Sequence, residues 1–220
     1  MGLDSRKSAR LSDPGAELLE QVTGLWSQYD RVILGALGVI AVVAVGTIFT
    51  MRSRGAQEDE ASGKLAEANV LFWQGDYVRA EQRAKQVADQ FGSTPSGSDA
   101  HRLAGDAAYW TGDFKGAIDH YQKFLGHAGH GLLADAARRS LAYAYESSQQ
   151  YALAVPIYDQ LVGVFDRESS AEFLMAGARC CAQLHQAPET VKRLQHILDE
   201  FGDTAAATRA REMMGELSRP

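Results

Sequence analysis

Residues 73–80 read Trp73-Gln74-Gly75-Asp76-Tyr77-Val78-Arg79-Ala80, and residues 110–117 read Trp110-Thr111-Gly112-Asp113-Phe114-Lys115-Gly116-Ala117. The two octapeptides stand 37 residues apart. The same step lands next on Gln149-Gln150-Tyr151-Ala152-Leu153-Ala154, and then on Gln186-Ala187-Pro188-Glu189-Thr190-Val191. Self-similarity at a constant period marks a repeat architecture. Each copy has a turn, an anchor (Tyr77, Phe114, Tyr151, Pro188) and a small residue three places later (Ala80, Ala117, Ala154, Val191). The anchor is expected to pack at the start of a second helix, and the small residue to let two helices approach closely. Gly75 and Gly112 permit the positive φ that ends a preceding helix.

The second half of this pattern, G-D-Y/F-x-x-A, resembles the tetratricopeptide repeat, whose usual period is shorter. The longer period here predicts longer loops between units. Around the motif, Ala-rich sequence with aromatic and Leu positions every three or four residues reads as helix after helix. The expected pairs are 60–74 with 77–91, 98–111 with 114–127, 132–148 with 151–165, and 169–185 with 188–201. Residues 204–217 form a closing helix. Ser98 or Asp99, and Ser169, are expected N-caps. The predicted fold is all-α: an α-solenoid of about four helix pairs plus a C-terminal capping helix, with one continuous core and a concave face.

Before the repeats, Val32 to Met51 reads VILGALGVIAVVAVGTIFTM, 20 residues without a charge, closed by Arg31 on one side and Arg52 and Arg54 on the other. A helix of this length spans roughly 30 Å, the thickness of a hydrocarbon core. A single transmembrane helix over 31–52 is therefore expected. The run leads into Met51-Arg52-Ser53-Arg54, not into a small-residue cleavage site. Upstream, Asp13-Pro14 reads as a helix start, and Leu18, Leu19, Val22, Leu25, Trp26 and Tyr29 recur at helical spacing. This amphipathic segment is expected at the lipid surface, with Trp26 and Tyr29 at headgroup level. The expected organisation is a polar tail and interfacial helix (1–30), the span (31–52), a linker (53–63) and the repeat domain (64–220). Positive charge on the two sides of the span barely distinguishes an orientation.

The chain carries a net charge of −6, and from Gly55 onward 16 Lys plus Arg face 23 Asp plus Glu. An acidic surface argues against nucleic acid as a partner. The two cysteines, Cys180 and Cys181, are adjacent, which excludes a disulfide framework. No phosphate-cradling glycine loop, zinc-protease helix or nucleophile-elbow motif occurs. His127-Ala128-Gly129-His130 could offer two imidazoles to a metal, but the glycines around it read as a loop without a third ligand. His101, His185 and His196 read as isolated. No enzyme, cofactor, metal site or small-molecule substrate is expected.

What remains is the concave face. Counting back from the Ala80 family, the inward positions are Asn69 and Trp73, then Arg102, Asp106 and Trp110, then Arg139, Tyr143 and Glu146. This aromatic and charged lining suits an extended peptide or a partner helix.

The order of parts, Leu25-Trp26-Ser27-Gln28-Tyr29 running into one span, a linker and about four repeats, is similar to the bacterial tetratricopeptide family of ancillary Sec-translocon subunits. That resemblance implies an inner-membrane anchor with the N-terminus in the cytoplasm, repeats in the periplasm, and the translocon and periplasmic chaperones as partners. It implies a membrane-tethered protein–protein interaction scaffold. The alternative is a structural accessory subunit of a larger membrane complex, with the repeats as a docking cap.

Overall fold

The computed structural model describes residues 14–217, with the side chains of residues 14–30, Ile33 and Ala128 left aside. The expected polar start, the Asp13 cap and the headgroup placement of Trp26 and Tyr29 lie outside what is described. Among the described residues the chain forms nine helices and no strand: α1 (Pro14–Trp73), α2 (Tyr77–Phe91), α3 (Pro95–Thr111), α4 (Phe114–Ala128), α5 (Leu132–Ser147), α6 (Tyr151–Leu161), α7 (Arg167–Gln183), α8 (Ala187–Glu200) and α9 (Ala205–Leu217). The chain divides into two compact units, residues 1–54 and 55–220.

In the first unit, the described apolar side chains of α1 between Val32 and Met51 are exposed, Val42 at 74% and Phe49 at 73% among them. By length and composition α1 could cross a membrane, with a mean hydropathy of 2.3 in its apolar window. The two hydroxyls in this run return to their own helix. Thr47 Oγ1 donates to the Val43 carbonyl at 2.8 Å and Thr50 Oγ1 to the Thr47 carbonyl at 2.9 Å. Neither therefore needs water.

The second unit begins earlier than the sequence reading placed it. Residues 55–63, expected as a linker, are helical and belong to the repeat stack. Ala61 is fully buried, and with Leu65 and Ala68 it forms an apolar stripe against Ala84, Val87 and Ala88 of α2. Glu58 accepts from the Ser96 backbone N–H at 3.1 Å and from the Ser96 hydroxyl at 2.6 Å. The charges that suggested a spacer ride the exposed side of a helix whose other side is core.

From α2 to α9 each helix packs on its neighbours in chain order, as a solenoid requires. The small residues do what their spacing predicts: Ala80, Ala117 and Ala154 are all completely buried. The fourth copy is a correction. There α8 starts at Ala187, and Thr190 fills the buried position at 0% exposure while Val191 is 40% exposed. Pro188 is exposed, so it anchors nothing. The last step is thus one residue shorter than the others. The backbone bonds that close the four turns fix this register: Asp76 N–H to the Leu71 carbonyl, Asp113 to Ala108, Gln150 to Tyr145 and Gln186 to Cys181. Thr190 is tolerated because its hydroxyl donates to the Gln186 carbonyl at 3.0 Å.

Two expected caps also move. Thr94, not Ser98 or Asp99, caps α3, its hydroxyl oxygen accepting from the Gly97 N–H at 3.0 Å. Pro95 at the first helical position has no N–H to satisfy, so the helix can begin there. Asp166 caps α7, accepting from the Ser169 N–H at 2.7 Å; Ser169 is the residue capped rather than the cap. The helix α4 runs to Ala128, one residue past the expected 127, so His127 is helical and only Gly129 and His130 of the His127-to-His130 stretch leave the helix as its glycines predict.

Candidate functional site

The eight positions read as groove-lining lie at the end of α1, on α3 and on α5. At the end of α1, Trp73 is 83% exposed, and Asn69 turns its amide to the Leu65 carbonyl at 3.0 Å. On α3, Trp110 is 62% exposed yet ordered by a stacked partner. The Tyr77 ring lies 5.7 Å away with an interplanar angle of 15°. Tyr77 in turn meets Phe72 edge-on at 5.2 Å, and Phe72 meets Trp73 at 5.8 Å. An aromatic ladder Trp73–Phe72–Tyr77–Trp110 therefore joins the first two repeats. Each such pair adds about 1 kcal/mol beyond area burial.

Next to Trp110 the surface dips into a cavity of about 170 Å³ lined by Asp106, Tyr109, Trp110, Tyr121, Ser140 and Tyr143. Three expected residues, Asp106, Trp110 and Tyr143, converge here. One Asp106 oxygen accepts from the Tyr121 hydroxyl at 2.8 Å and the other from Arg102 Nη1 at 2.9 Å. Arg102 also holds Asp99, Nε to Oδ1 at 2.7 Å, so one guanidinium serves two carboxylates. Burial raises the Asp106 carboxyl above its ordinary range, against the lowering effect of the Tyr121 hydroxyl and Arg102. Burial, with Asp106 alongside, likewise drives the Tyr121 phenol upward, so it remains a donor. Gly105 makes the Tyr121 placement possible: a Cβ there would stand 2.8 Å from the ring.

The remaining expected residues are engaged elsewhere. Arg139 stands over the Phe165 ring at 5.7 Å. Glu146 accepts from Arg179 Nη2 at 3.0 Å and from the Tyr158 hydroxyl at 2.6 Å, a link across three helices. Tyr143 packs 6.0 Å from Tyr158. The sequence reading took Tyr77 as a packing anchor, not a site residue, and did not name Tyr109, Tyr121 and Ser140. A signal for Tyr121 was present: Tyr158 occupies its repeat-equivalent position, and both reach back to a carboxylate on the preceding first-position helix.

Among the described residues no three His, Cys, Asp or Glu gather as a metal site. Cys180 and Cys181 are buried and free, and burial pushes the Cys180 thiol up to about 12, unsuited to a nucleophile. His101 is not isolated. Its Nδ1 meets His120 Nδ1 at 3.2 Å between α3 and α4, within hydrogen-bond distance. Burial, with His101 beside it, lowers His120 to about 4.

Comparison with known proteins agrees with this architecture. A tetratricopeptide repeat model matches residues 65–136 and 111–171. No curated protein matches the chain. Among solved structures, a Podosopora anserina putative kinesin light chain with nearly identical TPR-like repeats is similar over 72% of this chain and 88% of its own, at 18% identity and a TM-score of 0.58. A MamA protein (AMB-1) covers 74% of this chain and 82% of its own, at 18% identity and a TM-score of 0.51. YrrB, described as a TPR protein with an unusual peptide-binding site, covers 62% and 66%, at 19% identity and a TM-score of 0.51. At these identities the likeness is one of fold. Residues 65–171 thus match the tetratricopeptide repeat in sequence, and the helix pairs share its fold.

Proposed function

We propose that this protein is a membrane-tethered scaffold that holds extended segments of partner proteins in the groove lined by Trp73, Trp110 and Tyr143. The observation that carries it is the exposed but stacked Trp110 at the rim of the cavity. A rigid, exposed aromatic next to a side-chain-sized hollow is what a binding hot spot requires, since little entropy is lost on contact. The fold neighbour YrrB is described as binding peptide, which supports this use of the face. Residues 31–52 are the anchor in this reading, with Arg31, Arg52 and Arg54 at the two lipid boundaries. Tethering raises local concentration, so a modest groove affinity suffices. The order of parts supports a bacterial inner membrane with a cytoplasmic N-terminus and periplasmic repeats, beside a translocon or envelope chaperones.

The test is crosslinking in membranes with the full chain and with Trp110→Ala. The variant should remain helical, lose only a few degrees of Tm, and lose crosslinks to translocon subunits or chaperones. A variant that unfolds, or that crosslinks as before, removes the groove role. Fixed, detergent-stable co-purification with a larger complex would instead favour an accessory subunit.

A further inference from the structure

The cavity between α3, α4 and α5 has a chemistry more specific than an aromatic rim. Its volume, about 170 Å³, compares with the roughly 150 Å³ that admits a benzene ring in an engineered protein cavity. One side chain fits, and little more. Its lining is Tyr109, Trp110, Tyr143, Ser140, the buried Tyr121 and Asp106, whose carboxylate accepts from the Tyr121 hydroxyl. The charges around that carboxylate decide what it would accept. Arg102 is divided between Asp99 and Asp106, leaving this triad one negative charge in excess. Arg139, the next cation, stands over the Phe165 ring at 5.7 Å and acts on Asp106 from outside the triad without bonding to it.

We infer that this cavity is a cation-selective subsite that takes a basic side chain, such as lysine, from a peptide lying in the groove. The inference rests on the proposed groove function and names its anchor. An apolar occupant would strip water from Asp106 and return nothing to it, which is costly for a carboxylate. An acidic occupant would meet Asp106 directly. An ammonium group gains from the ring faces and from the Asp106 carboxylate together, because aromatic faces attract cations most strongly where water is excluded.

The test uses the full chain in neutral detergent and three acetyl-Gly-Gly-Xaa-Gly-Gly-amide peptides, with Xaa lysine, norleucine or glutamate. The protein has three tryptophans, so indole N–H resonances report on each, and Trp110→Leu assigns the relevant one. The lysine peptide should shift the Trp110 indole saturably, with an affinity at least about tenfold above norleucine and a weaker response still to glutamate. Asp106→Asn should remove most of that preference. Because Asp106 also holds Arg102 and Tyr121, Tyr143→Leu serves as a second variant at the exposed rim and should weaken lysine more than norleucine. Equal binding of norleucine, or preference for glutamate, overturns the cation subsite while leaving the groove reading standing. The absence of a saturable shift with any peptide also overturns it, and the membrane crosslinking then decides the groove separately.

Discussion

The turns into α2 and α4 and the turns into α6 and α8 trace one backbone with different residues. In the first pair, Gly75 and Gly112 take φ of +81° and +83°, and Asp76 and Asp113 cap the following helix by accepting from the Arg79 and Gly116 N–H groups. In the second pair, Gln149 and His185 are forced to φ of 61° and 57°, and Gln150 and Gln186 make no side-chain cap bond. A side chain in the left-handed region costs about 1–2 kcal/mol, and a missing cap about 1 kcal/mol. Yet the closing bonds are the same in all four. Burial of Ala154 and Thr190 against the neighbouring helix holds the later turns where local preference does not. The lesson is that glycine and aspartate announce this turn but are not what compels it.

Four measurements test that contrast. The largest effect should come from the position common to all repeats. Ala117→Leu and Ala154→Leu should each destabilise by about 1–3 kcal/mol in urea melts, because neither site has room. A loss confined to Ala117 would mean that the front turns, with their local signals, are the tighter ones.

The second separates the halves by acid. His120 is buried, and its folded value of about 4 lies below the ordinary 6.5. Between these values the unfolded chain binds more protons, so stability rises with pH across that window and is lost as pH falls from 6.5 toward 4. The loss should be on the order of 2 kcal/mol. It should appear as faster hydrogen exchange in α3 and α4 before α8 and α9. Uniform acid loosening along the stack would contradict a role for the histidine pair.

The third inverts the turns. Gln149→Gly and His185→Gly should each raise stability by about 1 kcal/mol, and Gly112→Ala should lower it by a similar amount. If the glycine variants change nothing, the strain has been relaxed elsewhere. The smallest effect is the cap: Gln150→Asp should add about 0.5–1 kcal/mol and Asp113→Gln should remove as much, read as shifts in urea midpoint.

Much of the fold was legible beforehand. The predicted helix over 77–91 is α2 residue for residue, and the bounds of α4, α5 and α9 fall within one residue of expectation. These elements carry an apolar stripe at helical spacing, and their turns carry glycine or repeat spacing. The failures were of other kinds. Residues 55–63 looked like a spacer because a helix's exposed side is charged whether or not its other side is packed. The fourth register slipped by one because Pro188 and Val191 imitate the motif while Ala187 and Thr190 occupy it. Of the candidate site, Asp106, Trp110 and Tyr143 were named. Tyr121 was missed because it sits on a second-position helix and enters the cavity only through the gap left by Gly105.

The sequence by itself determined the repeat, most of its helices, the apolar run at 32–51 and the acidic charge balance, because periodicity and composition are local and survive without neighbours. Only the tertiary structure decided which polar groups meet. The His101–His120 pair and the Tyr121–Asp106 bond each join residues of different helices, with partners chosen by helix packing distance and by desolvation. Those choices depend on ångström-scale approach between helices, which no spacing along the chain encodes.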